Sequence, residues 1–346
     1  MNRVQSLKNV INVKQMNLRI LDLFSGIGGF SYAFHGTAKT VAYCDIDEHC
    51  QAVLKKNMNR GFIDEAPIFE DITKISKDDI HILKPNMITA GFPCQDISSA
   101  NPHGKGLKGE RSGLFSEIIK LIDTYSGIDY VLLENSPRIL KKGFRTIRVS
   151  MKQRGFQIKY CLINAMDVGA YHKRRRWYCL CYKNHDLPTI PNIQYDWYRM
   201  PTYSKIVKIK NRTHKKKLLI RNAMLGNSVV PQCVTYAYNT LVKNILSRKQ
   251  YIEVVPLKSV HPLHLEFSDG TTNKISNYWA TPCSSNWHNY TKITDRGIKL
   301  LASQLYYHVD TLVKEGPKTE HYNKYLSNPL FVEYLMGYPK NWTETI

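Results

Sequence analysis

The chain predicts an α/β fold: a doubly wound parallel sheet with a second, smaller domain attached to it. Three observations carry that expectation. Short apolar runs at 19–24, 40–44, 67–70, 87–90 and 130–133 alternate with helical stretches at 48–58 and 112–125, which is the rhythm of βαβ units. Glycine, proline or acidic residues follow these runs at once, where the strands of an open sheet end and ligands collect. The length of 346 residues and a hydrophobic content of 43% suffice for one large core and a smaller one.

Residues 1–17 show no pattern and read as an N-terminal arm. The first strand, Arg19 to Phe24, runs into Ser25-Gly26-Ile27-Gly28-Gly29-Phe30. Glycines between a strand and a helix let the backbone approach a ligand closely, and the helix N-terminus offers its dipole to polar groups. The spacing is not GxGxxG and no Lys-Ser/Thr pair follows, which disfavours a pyrophosphate or a nucleoside triphosphate. The second strand, Thr40 to Cys44, ends in Asp45-Ile46-Asp47, where an acid can accept hydrogen bonds from ribose hydroxyls. The third, Pro67 to Glu70, leads into Asp71-Ile72.

The fourth strand, Met87 to Ala90, ends abruptly in Gly91-Phe92-Pro93-Cys94-Gln95-Asp96-Ile97-Ser98. Cys94 is thereby expected at the mouth of a cleft, where a thiol has reason to be reactive; the competing reading is a packing cysteine. The fifth strand, Tyr130 to Leu133, ends in Glu134-Asn135-Ser136-Pro137, so Glu134 is either a helix cap or a catalytic carboxylate. Two further strands, Phe156 to Ile163 and Trp177 to Cys181, bracket Gly169 to Arg176, whose Arg174 and Arg176 can grip a base or phosphate, or lie on the surface.

From 182 to 219 the pattern weakens, with prolines at 188, 191 and 201. Leu225-Gly226-Asn227-Ser228-Val229-Val230-Pro231 then reads as a turn feeding an amphipathic helix to about Leu246. The expected organisation is an arm at 1–17, a catalytic domain at 18–183 and 219–247, a basic connecting or recognition segment at 184–218, a target-recognition region at 248–327, and a C-terminal motif at 328–346 packing back on the catalytic domain. His261 and His264 lack the further ligands of a metal site.

Forty-nine Lys and Arg against 28 Asp and Glu give a net charge of +21. Solubility rarely needs so much, so a polyanion partner is implied, bound through counterion release. Basic residues cluster at Lys173-Arg174-Arg175-Arg176 and Arg212-Thr213-His214-Lys215-Lys216-Lys217. No run reaches the roughly 18 apolar residues of a membrane helix, and Met1 to Gln5 lacks a signal peptide's apolar core. The eight cysteines show neither zinc spacing nor a disulfide framework, so a cytoplasmic, reducing location is expected.

Several of these stretches together resemble the ordered motifs of the DNA (cytosine-5) methyltransferases. Leu21 to Phe30 is similar to that family's S-adenosylmethionine loop, Gly91 to Ser98 to its nucleophile loop, and Gly109-Glu110-Arg111-Ser112-Gly113-Leu114-Phe115 to the segment after it. Glu134-Asn135 is similar to the glutamate motif, Gly169 to Arg176 to the arginine motif, and Gly226 to Val229 to the last cofactor motif. The resemblance implies a Rossmann-like S-adenosylmethionine-dependent methyltransferase sheet with a smaller recognition domain. It implies Cys94 as nucleophile, Glu134 holding or donating a proton at cytosine N3, and Arg176 with Arg174 stabilising the base's O2 or orienting Glu134. It places the cofactor S-adenosyl-L-methionine against Phe24, Gly26, Gly28, Asp45, Ile46, Asp71, Ile72 and Asn227. Double-stranded DNA is the implied partner, with the target base swung out of the duplex, no metal required, a monomer expected, and a cognate restriction endonuclease left open.

The sequence departs from the family pattern in places. Asp45 stands where Glu is usual, Tyr171-His172 where Pro-Gln is common, and Ser136 where Val is usual. The segment of shape Pro-x5-Leu-x-Gly-Phe-Pro, which normally precedes the GNSV motif, matches Pro329 to Pro339 and so follows Asn227. That order implies a permuted arrangement with the recognition region between the two motifs. Two alternatives stand beside the DNA enzyme: an RNA cytosine-5 methyltransferase on the same scaffold, and a DNA-binding protein with a decayed active site.

Overall fold

The structure is a computed structural model that describes residues 18–93, 113–199, 201–204, 206–246 and 325–344. The arm at 1–17, Cys94, residues 109–112 of the segment after the nucleophile loop, and the region 248–324 lie outside the described residues.

Seven strands form the central sheet in the order β3-β2-β1-β4-β5-β7-β6. They are β1 (Arg19–Leu23), β2 (Lys39–Cys44), β3 (Ile68–Phe69), β4 (Met87–Ala90), β5 (Tyr130–Asn135), β6 (Gln157–Asn164) and β7 (Arg175–Tyr182). The first five pair in parallel, through helices α1 (Gly29–Phe34), α2 (Glu48–Asn59), α3 (Lys77–Leu83) and α4 (Gly113–Thr124). The parallel sheet changes direction at its edge, because β7 runs antiparallel to both β5 and β6. Its physical reason is length. The link from Asn164 to Arg175 holds only the short 3-10 turn Ala165–Val168, too little for the crossover a parallel pair needs.

Helices cover both faces, so the strands are apolar on both sides. Along β5, Tyr130 and Leu132 join one core while Val131 and Leu133 join the other; along β7, Tyr178 and Leu180 oppose Trp177, Cys179 and Cys181 in the same way. After β5 come α5 (Ile139–Lys142) and α6 (Phe144–Lys152); after β7 come β8 (Ile206–Lys208), α7 (Arg212–Asn227) and α8 (Pro231–Leu246). The turn expected at Leu225–Pro231 is shorter than that. Leu225 to Asn227 are the last residues of α7, and Asn211 opens that helix by accepting from the His214 amide at 2.8 Å.

The chain returns as β9 (Tyr325–Ser327), which pairs antiparallel with β8, and α9 (Pro329–Leu335), capped by Asn328. The residues after α9 are fastened to the sheet's ligand end. The Trp342 indole donates to the Ile27 carbonyl (2.8 Å), the Tyr338 hydroxyl to the Val229 carbonyl (2.9 Å), and the Gln232 amide to the Gly337 carbonyl (2.8 Å). Buried Glu333 gathers the same segment, accepting from the Thr343 amide (2.8 Å), the Asn341 amide (2.8 Å) and the Arg221 guanidinium (3.3 Å). A carboxylate with that many donors is held by several charge-assisted bonds rather than left as an isolated buried charge.

Asp22, on β1 beneath the glycine turn, is fully buried and accepts from the Ser31 hydroxyl (2.8 Å) and the Thr89 hydroxyl (2.6 Å). Burial pushes its carboxyl up from the ordinary 3.8 to about 7, against those two hydrogen bonds. The folded chain therefore binds this proton more tightly than the unfolded chain, and stability contributed by the protonated form is lost as pH rises from about 4 to about 7. Asp22→Asn should remove that dependence: urea unfolding should show the variant gaining on the parent over this range, by on the order of 1 kcal/mol per pH unit. A constant difference from pH 4.5 to 8 would contradict the assignment.

Candidate active site

The turn after β1 is built from left-handed backbone. Phe24 (φ 53°), Gly26 (φ 54°) and Gly28 (φ 83°) all have positive φ, a conformation that costs a phenylalanine on the order of 1 kcal/mol and persists where the surroundings over-determine it. A Cβ on Gly29 would run into the Tyr338 hydroxyl and come within 2.6 Å of Val229. The C-terminal segment and the α7–α8 joint thus press directly on this turn. Asp45 closes it from the other side, accepting from the Gly26 amide at 2.7 Å and the Asp47 amide at 3.0 Å.

Each Asp45 oxygen keeps a second lone pair for a ligand hydroxyl, and burial raises its carboxyl above the usual range. Ile46, next in the chain, is 82% exposed at the cavity wall. Asp71 accepts from the amide and hydroxyl of Thr73 at 2.9 and 2.8 Å, which lowers its pKa, and Ile72 is buried behind it.

The other half of the site comes from the ends of β4 and β5. Asn135 donates to the Phe92 carbonyl at 3.0 Å, and a Cβ on Gly91 would lie 3.5 Å from a Glu134 oxygen. The start of the loop after β4 is thereby tied to the end of β5 that carries Glu134. Glu134 is 8% exposed, and Arg176 Nε lies 3.1 Å from its Oε1. Burial raises the Glu134 pKa; Arg176 and then Arg174 pull against that without reversing it.

Arg174 faces elsewhere with its guanidinium, donating to the carbonyls of Gly226 (3.1 Å) and Ser228 (2.7 Å). It bonds directly to the α7–α8 joint, whereas Arg176 is the arginine paired with Glu134.

These pieces line one cavity of about 580 Å³, among them Phe24, Gly26, Asp45, Pro93, Glu134 and Asn227. That is the size of a small-molecule or cofactor pocket. Of the residues expected at the site, Ile46, Asp71, Ile72, Arg174 and Arg176 line the same cavity, and Gly28 shapes the turn beside it. Cys94 follows directly on Pro93, outside the described residues.

The sequence reading missed the wall formed by α7. Ile220, Ala223 and Met224 line the cavity beside the expected Asn227, and the spacing of the four, i, i+3, i+4 and i+7, is one helical stripe. Reading 212–227 as a helix would have found it. His172, one of the departures from the family pattern, is buried in the 164–175 link, and its Nε2 meets the Leu335 carbonyl at 2.9 Å. Burial, helped by the Arg174 charge, pushes its pKa down to about 3, so the ring is neutral and donates through Nε2. The substitution supplies a tether to the C-terminal segment.

A model of the family described as C-5 cytosine-specific DNA methylase matches residues 18–345 of the chain. The chain is 29% identical over 268 residues to the type II methyltransferase M.CviJI of Paramecium bursaria Chlorella virus IL3A, covering 76% of this chain and 69% of that protein. It is 30% identical over 191 residues to the type II methyltransferase M.HhaI of Haemophilus parahaemolyticus, covering 54% and 55%. Among solved structures, the S. pombe Dnmt2 methyltransferase superposes with a TM-score of 0.40 at 23% identity, covering 48% of this chain and 49% of that one.

Proposed function

Because this chain belongs to the C-5 cytosine-specific DNA methylase family, we propose that it transfers a methyl group from S-adenosyl-L-methionine to C5 of a flipped-out cytosine in duplex DNA, through a covalent bond between Cys94 and C6. The observation that carries the reading is the shared cavity, which joins the glycine turn, the Glu134–Arg176 pair and the residue preceding Cys94.

The cavity's cofactor side fits the group. Asp45 retains acceptor capacity for a ribose, Ile46 offers an exposed apolar surface to a flat ring, and the left-handed turn at Phe24 to Gly28 lets main chain approach the methionine part. Asp71 and Asn227 line the same cavity. The cofactor supplies an electrophilic methyl on a positively charged sulfur.

Cytosine C5 is a weak nucleophile until the ring loses its aromaticity. The Cys94 thiolate forms a bond to C6, and the displaced electron pair moves through the ring toward N3. Glu134, its pKa raised by burial, supplies or holds a proton there, while Arg176 fixes the direction of the carboxyl. C5 then takes the methyl group, the pair of the broken sulfur–methyl bond staying on the donor sulfur as a neutral thioether, and the proton at N3 returns to Glu134. Loss of the C5 proton to solvent sends its bonding pair back into the ring, the S–C6 bond breaks, and the thiolate is regenerated.

The chemistry needs both faces of the ring, so the base must leave the stack. Duplex DNA is the partner in this reading, held by the chain's basic surface. The Arg174 bonds to Gly226 and Ser228 support a positioning role for that residue. The recognition region falls at 248–327, between the last cofactor motif and the C-terminal motif at 328–346. A monomer in the cytoplasm is the simplest form, and the type II relatives make a cognate restriction endonuclease a natural companion.

The purified chain, given labelled S-adenosyl-L-methionine, should label duplex DNA and leave competing RNA unlabelled. Label on RNA alone would move the reading to an RNA enzyme, and no label with intact cofactor binding would point to a decayed site.

A further inference from the structure

Residues 135–166 contain eight Lys and Arg and no Asp or Glu. Surfaces kept soluble by charge normally intersperse the two signs, so an unbroken stretch of one sign has a different cause. The residues fold as α5, α6 and the edge strand β6.

On α6, Arg145, Arg148 and Lys152 are exposed, and their spacing of three and seven residues puts them on one stripe about 10 Å long. Ile147 and Met151, on the opposite side, are fully buried against the sheet. Arg138, Lys141 and Lys142 are exposed on and before α5. None of these six cations forms an ion pair with a described residue, in contrast to Arg154, which pairs with Asp123 at 2.6 Å. The stretch begins at the site, since Ser136 lines the cavity and Arg138 follows two residues later.

We propose that the α5–α6 face, through Arg145, Arg148 and Lys152, binds the phosphate backbone of duplex DNA flanking the base held in the cavity. The inference rests on the DNA reading above. The cations are fixed on a helix and unpaired among the described residues, so each phosphate contact releases a counterion and adds to the salt dependence of binding without reading sequence.

The test is the slope of log affinity against log salt for a duplex of about 30 base pairs. The triple variant Arg145→Gln, Arg148→Gln, Lys152→Gln should lower the magnitude of that slope by about 2–3 relative to the parent. Its affinity for S-adenosyl-L-methionine should be unchanged, which also shows that it folds. A second variant, Lys74→Gln, Lys77→Gln, Lys84→Gln, removes the same net charge from exposed positions on another part of the chain and should leave the slope near the parent's.

An unchanged slope in the first variant, or an equal fall in both, overturns the proposal. So does a fall seen on single-stranded RNA but not on duplex DNA. A parent chain with no salt-dependent DNA binding would instead sink the DNA reading itself, and this proposal with it.

Discussion

Cys94→Ala should abolish methyl transfer to duplex DNA, by at least about a thousandfold or about 4 kcal/mol in the barrier, while binding of S-adenosyl-L-methionine stays within a factor of about two. The two effects separate because the proposed cofactor side of the cavity is lined by residues at the ends of β1 and β2 and at the α7–α8 joint, and Cys94 belongs to the loop after β4. Alanine removes only the sulfur. In the proposed mechanism nothing then adds to C6, and C5 remains part of an aromatic ring.

The same chemistry gives a second readout. A duplex whose target cytosine carries fluorine at C5 has no proton to lose after methylation, so the S–C6 bond should persist. The parent should then form a protein–DNA band that survives denaturation, and the alanine variant should not. Methylation retained by the variant would remove Cys94 from the mechanism.

Much of this site was legible in the sequence because its parts sit at strand ends. A buried parallel strand reads as an apolar run, and whatever interrupts that run faces the ligand edge. Asp45, Gly91 and Glu134 were placed in that way, and all three reach one cavity. What was not legible depended on contacts between distant segments. The basic start of α7 hides the stripe that lines the cavity, because Lys215 to Lys217 precede Ile220, Ala223 and Met224. Arg174 and Arg176 are alternate residues of one basic run, and only the fold shows that one meets backbone carbonyls while the other meets a carboxylate. His172 looked like a defect in a motif until Leu335, 163 residues away, supplied its partner.

The place of the C-terminal segment is explained in the same terms. A motif acts through what it touches, and Pro329 to Pro339 reaches the glycine turn from a later point in the chain. Tyr338 meets Val229, Gly337 meets Gln232, and Trp342 meets Ile27. The C-terminal segment thus packs beside the joint at Gly226 to Val229 although about a hundred residues separate them in the chain.

Trp342→Ala should therefore cost about 3–5 kcal/mol of stability by urea unfolding. The indole is fully buried among Tyr32, Phe62 and Tyr338, with ring centroids 4.8, 5.6 and 5.1 Å away, so its removal leaves a large cavity in the core beside α1. Trp342→Phe tests the hydrogen bond separately. It keeps most of the ring packing but removes the donor to the Ile27 carbonyl, leaving that buried acceptor unmet at a cost of about 1–3 kcal/mol. Ile27 lies between Gly26 and Gly28, so the freed carbonyl should loosen the turn that faces the cofactor. Calorimetric titration should show weaker S-adenosyl-L-methionine binding in Trp342→Phe, with kcat at saturating cofactor near the parent's. Cofactor affinity equal to the parent's would mean that the C-terminal segment fills the core without setting the shape of the turn.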